Sequence, residues 1–188
     1  MSISFSQRVS GTGHITTITY NREEKLNSLN AVGIQELHEA FISLLNDEDL
    51  RAIILTGAGS KAFFGGADIF EMSELDSDGA RNFITSLHKL FLTIRTHPVP
   101  VIARINGYTL GAGMELAAAC DLRISTNTAI FGMPEVRVGL PSVIEAALLP
   151  RLIGWGKSNY LVLTAENINA TTAYEWGFLE SISTENDL

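Results

Sequence analysis

The stretch Leu110 to Ala119 is alanine-rich and apolar on nearly every side, so a helix built from it belongs in the interior of a fold. One residue breaks that pattern. Glu115 puts a carboxylate in the middle of the stretch, where water is scarce and the charged form is disfavoured. Just before it, Gly111-Ala112-Gly113 supplies small residues where a helix begins and its first N–H groups lack intrahelical acceptors. Taken alone, Glu115 reads equally well as a core acid bonded to local backbone. The small residues beside it favour a site for negative charge on a substrate oxygen.

The surrounding pattern is α/β. Strand-like runs Ile3 to Val9 and His14 to Tyr20 flank Gly11-Thr12-Gly13 and predict a hairpin. Ile34, Leu37, Phe41, Leu44 and Leu45 then recur at helical spacing, and the short apolar run Ala52 to Leu55 reads as a buried strand closed by Thr56-Gly57. A second amphipathic helix carries Phe83, Ile84, Leu87, Leu90, Phe91 and Ile94, ends at His97-Pro98, and leads into a strand over Val99 to Ile105. Strand-helix units of this length argue for largely parallel pairing. Beyond Pro141 the pattern turns helical, over Ile144 to Ile153, Gly156 to Thr164 and Ala170 to Trp176. Trp176, Phe178, Leu179 and Ile182 then leave apolar surface that is expected to need a partner or a further segment.

Composition narrows the function classes. The 188 residues are 46% hydrophobic and 18% charged, enough for one domain with a proper core. A formal net charge of −8, from 13 Lys and Arg against 21 Asp and Glu, argues against a nucleic-acid partner. Cys120 is the single cysteine, so neither an intrachain disulfide nor a cysteine zinc cluster can form, and a reducing compartment fits. No apolar run approaches the ~20 residues of a membrane span. Neither a secretory nor a transit-like N-terminus is readable, which leaves the cytoplasm as the default expectation.

A second acid, Glu135, follows the strand-like Ala129-Ile130-Phe131. It reads either as a surface acid paired with Arg137 or as the partner of Glu115 across one pocket, one taking a proton and the other giving one. A second small-residue segment, Gly65-Gly66-Ala67-Asp68-Ile69, follows the apolar Ala62-Phe63-Phe64. Two such segments could each expose a backbone N–H to a developing oxyanion, the equipment for chemistry beside a thioester carbonyl. Other motifs fail. Gly57-Ala58-Gly59-Ser60-Lys61 lacks the spacing of a phosphate loop, Gly11-Thr12-Gly13 lacks the third glycine of a dinucleotide fingerprint, and the four histidines show no metal-ligand spacing.

These residues resemble the enoyl-CoA hydratase/isomerase, or crotonase, family over nearly the whole chain. The matching segments are Asn21-Arg22 with Leu26 to Asn30, Lys61 to Met72, Ile105 to Leu116, Cys120-Asp121 and Phe131 to Glu135. The resemblance implies a crotonase-like α/β fold, a stack of ββα units with two roughly perpendicular sheets, in a homotrimer or homohexamer. It implies an oxyanion hole made by the backbone N–H groups of Ala67 and Ala112, Glu115 activating water for attack at C3 of a 2-enoyl-CoA, and Glu135 giving a proton to C2. Lys25, Leu26, Gly65, Gly66, Asp68, Ile69, Gly111 and Ser142 are the residues it implies for substrate binding, with Lys25 a phosphate partner. It implies no metal or redox cofactor, coenzyme A being part of the substrate. Hydration is the first expectation; double-bond isomerisation through Glu135, or weak acyl-CoA binding without turnover, are the alternatives.

The sequence departs from the family pattern at Glu23, where proline is usual, and at Pro141-Ser142-Val143-Ile144-Glu145, which replaces a glycine-rich turn. Ser142 and Glu145 are expected to alter water placement or acyl specificity there. The family's C-terminal helical extension is expected to be missing after about Leu188.

Overall fold

β-branched alternation opens the chain as a hairpin: β1 (Ile3–Ser10) and β2 (Gly13–Tyr20) pair antiparallel, with Ile3 opposite Tyr20 and Ser10 opposite Gly13. The computed structural model describes residues 2–188. Helix α1 (Ala31–Ser43) starts where Asn30 caps the Gly33 N–H, and buries Ile34, Leu37 and Phe41 as their spacing predicts. The buried strand is β3 (Leu50–Gly57), parallel to β2.

From there the chain repeats one manoeuvre. A strand joins the main sheet, a short second strand joins a smaller sheet, and a helix returns. β3 is followed by β4 (Ala62–Phe64), α2 (Ile69–Ser73) and α3 (Ser77–Arg95). Next come β5 (Val101–Ile105), β6 (Tyr108–Leu110) and α4 (Ala112–Ala119), then β7 (Leu122–Thr126) and β8 (Ile130–Gly132). The last third holds α5 (Leu149–Ile153), α6 (Trp155–Thr164), β9 (Ile168–Asn169), α7 (Ala170–Glu175) and β10 (Ser181–Ser183). The six-stranded sheet runs β1-β2-β3-β5-β7-β10 and the four-stranded one β4-β6-β8-β9. All neighbours are parallel except β1 with β2 and β8 with β9.

This arrangement lets α4 be apolar all round: every one of its residues is buried, Glu115 included. The helix starts two residues later than its apolar run. Leu110 is spent as a strand residue opposite Gly132, and Gly111 turns the chain at φ 52, a left-handed value that glycine adopts without cost.

Two further expectations need correction. Ile144 to Ile153 is not one helix. Ile144 is non-helical, Glu145–Leu148 form a 3₁₀ turn, and α5 begins only at Leu149, because Pro150 has no N–H to continue a helix through its position. The apolar end is also covered differently. Phe178 and Leu179 are buried by the chain itself, Phe178 with its ring 5.6 Å from Phe131, and no partner is needed for them. The buried Arg123 holds that region by donating to the Phe178 and Cys120 carbonyls at 2.6 and 2.7 Å and pairing with Glu180 at 2.5 Å. The exposed apolar residues of α6 and α7 include instead Trp155, Tyr160, Leu163 and Tyr174.

The loop after β4 is anchored from outside the sheet. Asp68 accepts from the Phe70 and Glu71 N–H groups, capping α2, and pairs with Arg22 at 2.7 Å. Burial by itself would push the Asp68 carboxyl up, but the Arg22 bond and the backbone donors outweigh it and hold it below its ordinary range. Its contribution is therefore present above the ordinary carboxyl range and is lost as pH falls through the lowered value. Asp68→Ala strips the cap and strands Arg22, and is expected to lower the unfolding free energy at neutral pH by roughly 2–4 kcal/mol. Guanidinium unfolding of both proteins checks this, with the deficit narrowing in acid.

Candidate active site

The parallel strands β4, β6 and β8 run side by side and end at Phe64, Leu110 and Gly132. Each is followed at the same edge by one component of the site: Gly65-Gly66-Ala67, Gly111-Ala112, and Met133-Pro134-Glu135. A cavity of about 550 Å³ opens there. Its wall includes Ala67, Ala112, Glu115 and Glu135, with Ile84 and Leu87 of α3 and Leu140 to Ile144 making much of the apolar remainder.

At two places on this wall, Ala67 and Ala112, the backbone N–H has no hydrogen-bond acceptor among the described residues. Leu29 donates to the Gly66 carbonyl and accepts from the Asp68 N–H, both at 2.8 Å, so the bridge straddles Ala67 and the Ala67 N–H faces the other way. Ala112 is the first residue of α4, where an N–H has no intrahelical acceptor. Backbones approach closely here: a Cβ at Gly113 would lie 2.1 Å from the Phe64 carbonyl oxygen, and one at Gly111 would lie 2.6 Å from Glu135 Oε1. The small residues are thus required by the approach of strand, helix and acid.

Glu115 is 2% exposed. Burial pushes its carboxyl up to about 7, with the charges of Glu135 and Glu145 adding to the rise, while the Ala146 and Ile144 N–H groups oppose it. The Ala146 N–H donates to Glu115 Oε1 at 2.8 Å. Glu135 is also raised by burial, against hydrogen bonds that include one from Ser142 Oγ to Oε2 at 3.1 Å. The surface pairing considered for Glu135 does not form, since Arg137 turns to Glu166 at 3.6 Å.

Of the residues expected from sequence, Gly65, Gly66, Ala67, Ile69, Gly111, Ala112, Glu115, Glu135 and Ser142 all line this one cavity. Asp68, Lys25 and Leu26 do not. The Asp68 carboxylate is consumed by Arg22 and α2, so it shapes the loop instead of facing the cavity. The Leu26 carbonyl accepts the Gly65 N–H at 2.8 Å, and the Lys25 ammonium lies 5.8 Å from the Phe70 ring on the outside of α2. Sequence reasoning missed the Ala146 N–H, for which a backbone donor leaves no signal. It also missed His88, which meets Glu145 across 57 residues. Among the described residues no group of three or more His, Cys, Asp or Glu is gathered as metal ligands, and no helix is long and apolar enough to cross a membrane.

The folded value of Glu115 lies above the ordinary 4.5, so the folded state binds that proton more tightly than the unfolded chain does. Its contribution is then full below about 4.5 and is lost as pH rises through about 7. Glu115→Gln keeps the acceptor for Ala146 and removes the ionisation. It is expected to be more stable than the parent at mildly alkaline pH, by on the order of 3 kcal/mol. Thermal or denaturant unfolding across pH checks this, the advantage vanishing in acid.

Comparison with known proteins matches residues 10–188 to the family described as enoyl-CoA hydratase/isomerase. A short-chain-enoyl-CoA hydratase of Clostridium acetobutylicum is 38% identical over 94% of this chain and 68% of its own length. A crotonyl-CoA hydratase of Syntrophomonas wolfei is 37% identical over 93% of this chain and 67% of its own. The crystal structure of an enoyl-CoA hydratase from Bacillus anthracis superposes with a TM-score of 0.93 at 34% identity, covering 99% of this chain and 71% of that one.

Proposed function

The chain belongs to the enoyl-CoA hydratase/isomerase family, and on that premise we propose that it reversibly adds water across the double bond of a 2-enoyl-CoA thioester. One observation carries the reading: the buried carboxylate of Glu115, the half-buried one of Glu135 and two unspent N–H donors meet in a single, mostly apolar cavity. The thioester oxygen is bound by the Ala67 and Ala112 N–H groups. Glu115, ionised, takes a proton from water as its oxygen attacks C3. The electron pair of the double bond moves toward the thioester oxygen as an enolate, which the two donors stabilise as charge develops. Glu135, protonated, then delivers its proton to C2, and the reverse reaction exchanges the roles.

Burial raises both acids, which suits groups that take up and return protons inside one cavity. The proton transfers themselves call for no metal or redox group. Gly65, Gly66, Ile69 and Gly111 form the wall beside the thioester, and Ser142 orients Glu135 through its 3.1 Å hydrogen bond. Lys25, outside that wall beside Phe70, is the cation assigned here to the phosphates of the coenzyme A portion, and its proximity to the exposed Phe70 ring leaves the ammonium at the surface.

We further propose that the 188 residues act as one crotonase-like domain and assemble as a homotrimer or homohexamer. The support is the exposed apolar set Trp155, Leu163 and Tyr174 on α6 and α7, at 72%, 71% and 51% exposure. Light scattering on the purified chain is expected to give a trimer or a multiple of it; a monomer would sink that assignment.

Loss of enoyl-thioester ultraviolet absorbance with crotonyl-CoA tests the reaction. Glu115→Gln and Glu135→Gln are each expected to lower kcat by about 10²–10⁴-fold. Because Glu115 acts ionised, kcat/KM is expected to fall as pH drops below about 7. Double-bond isomerisation that survives Glu115→Gln, without hydration by the parent, would replace this reading with an isomerase.

A further inference from the structure

The turn opposite Glu115 contains a second buried acid with no direct place in the reaction. Glu145 opens the 3₁₀ turn Glu145–Leu148 and is 4% exposed. Its Oε1 lies 2.9 Å from His88 Nδ1, and its Oε2 is buried without a hydrogen-bond partner among the described residues. Burying a carboxylate that is only half satisfied is costly, and an apolar side chain of similar volume would serve packing better. The acid is also set apart from the cavity, whose wall includes Ile144 but not Glu145. What it adjoins is Glu115: the next residue, Ala146, supplies the N–H that holds Glu115 Oε1 at 2.8 Å.

We propose that Glu145, tethered by His88, is a positioning residue for Glu115: the pair pins the turn that presents the Ala146 N–H and keeps a second negative charge behind the catalytic carboxylate. This rests on the hydratase reading for its consequence in turnover. The tether joins two elements that also build the cavity. His88 follows Leu87, a cavity residue of α3, while Glu145 follows Ile144, a cavity residue of the turn. His88 itself is about half exposed, so the pair runs from solvent to the back of the active site. Loosening it frees the turn to drift, and with it the donor that sets the direction of the Glu115 carboxylate.

The charge environment is simple enough to make the coupling measurable. The acids that raise Glu115 are Glu135, on the cavity wall, and Glu145, behind it. α3 contributes His88 next to Glu145, while Asp78, Arg81, Lys89 and Arg95 on the same helix are exposed. β4 has no ionisable side chain, and Tyr108 of β6 is exposed. Arg151 of α5 lies with Arg95, Asp121 and Arg123 around a different cavity, at the Cys120 end of α4.

Glu145→Gln preserves shape and an acceptor for His88 but removes the charge. The ionisation midpoint of Glu115, followed by carbon-13 NMR of labelled glutamate carboxyls and assigned by its loss in Glu115→Gln, is expected to move down by roughly half a pH unit. The acid limb of kcat/KM with crotonyl-CoA should move the same way. His88→Ala is expected to lower kcat on the order of tenfold, with KM little changed, and His88→Asn, which can still donate to Glu145, to restore most of it. An unmoved Glu115 midpoint in Glu145→Gln, or full kcat in His88→Ala, would overturn the proposal and leave the pair as scaffold only. If the parent does not hydrate crotonyl-CoA, the hydratase reading fails, while the carboxyl titration still decides the coupling.

Discussion

The parallel pairing of β4, β6 and β8 is the constraint on which everything else rests. These strands have only three residues each, yet their shared direction and register end all three at one edge of the smaller sheet. Three separate loops, distant in sequence, are thereby delivered to one place: the donor of Ala67, the donor of Ala112 and the acid of Glu135. Antiparallel pairing would send alternate loops to opposite edges, and no amount of side-chain choice could reassemble the site. The main sheet gives more strand residues to the core, and the small sheet borders the cavity.

Short strands alone are marginal, so the edge is braced by polar groups spent inward. Asn27 donates to the Ala58 and Ala62 carbonyls and accepts from the Arg22 N–H, tying the segment before α1 to the start of β4. Arg22 in turn holds Asp68 and the loop that presents Ala67. The Phe64 ring stacks on Tyr20 of the main sheet at 5.2 Å and meets Phe63 edge-on. The donors proposed for the oxyanion are backbone groups, and their placement comes from this bracing instead of from their own side chains. That is why alanine suffices at both positions.

Much of this was legible in the sequence, and the reasons for success and failure are physical. The long elements announced themselves: α1 and α3 through apolar spacing with clear ends, β2 and β3 through β-branched runs, and α4 through being apolar where a surface helix could not be. The two- and three-residue strands of the small sheet were mostly hidden, because a period of two needs more residues than that to show itself. Ala62-Phe63-Phe64 read as an apolar wall beside a loop, and Leu110 as part of the helix it only precedes. Both acids stand out against their neighbours in the sequence, one inside an alanine helix and one behind a strand end, and the fold brings them to one cavity.

By itself the sequence determined the α/β character, the interior place of α4, the identity of both glutamates and the small residues that let backbone come close. These are local matters, decided by side-chain volume, hydropathy and the conformations that glycine allows. Tertiary structure alone decided that Arg137 leaves Glu135 for Glu166, that Ser142 holds Glu135, that Asp68 braces a loop instead of facing the cavity, and that Glu145 reaches His88 behind Glu115. Each is a choice of partner between segments that only the strand order brings together. A charged or polar side chain carries the same chemistry wherever it stands; which group it meets, and how much water remains between them, is settled by packing.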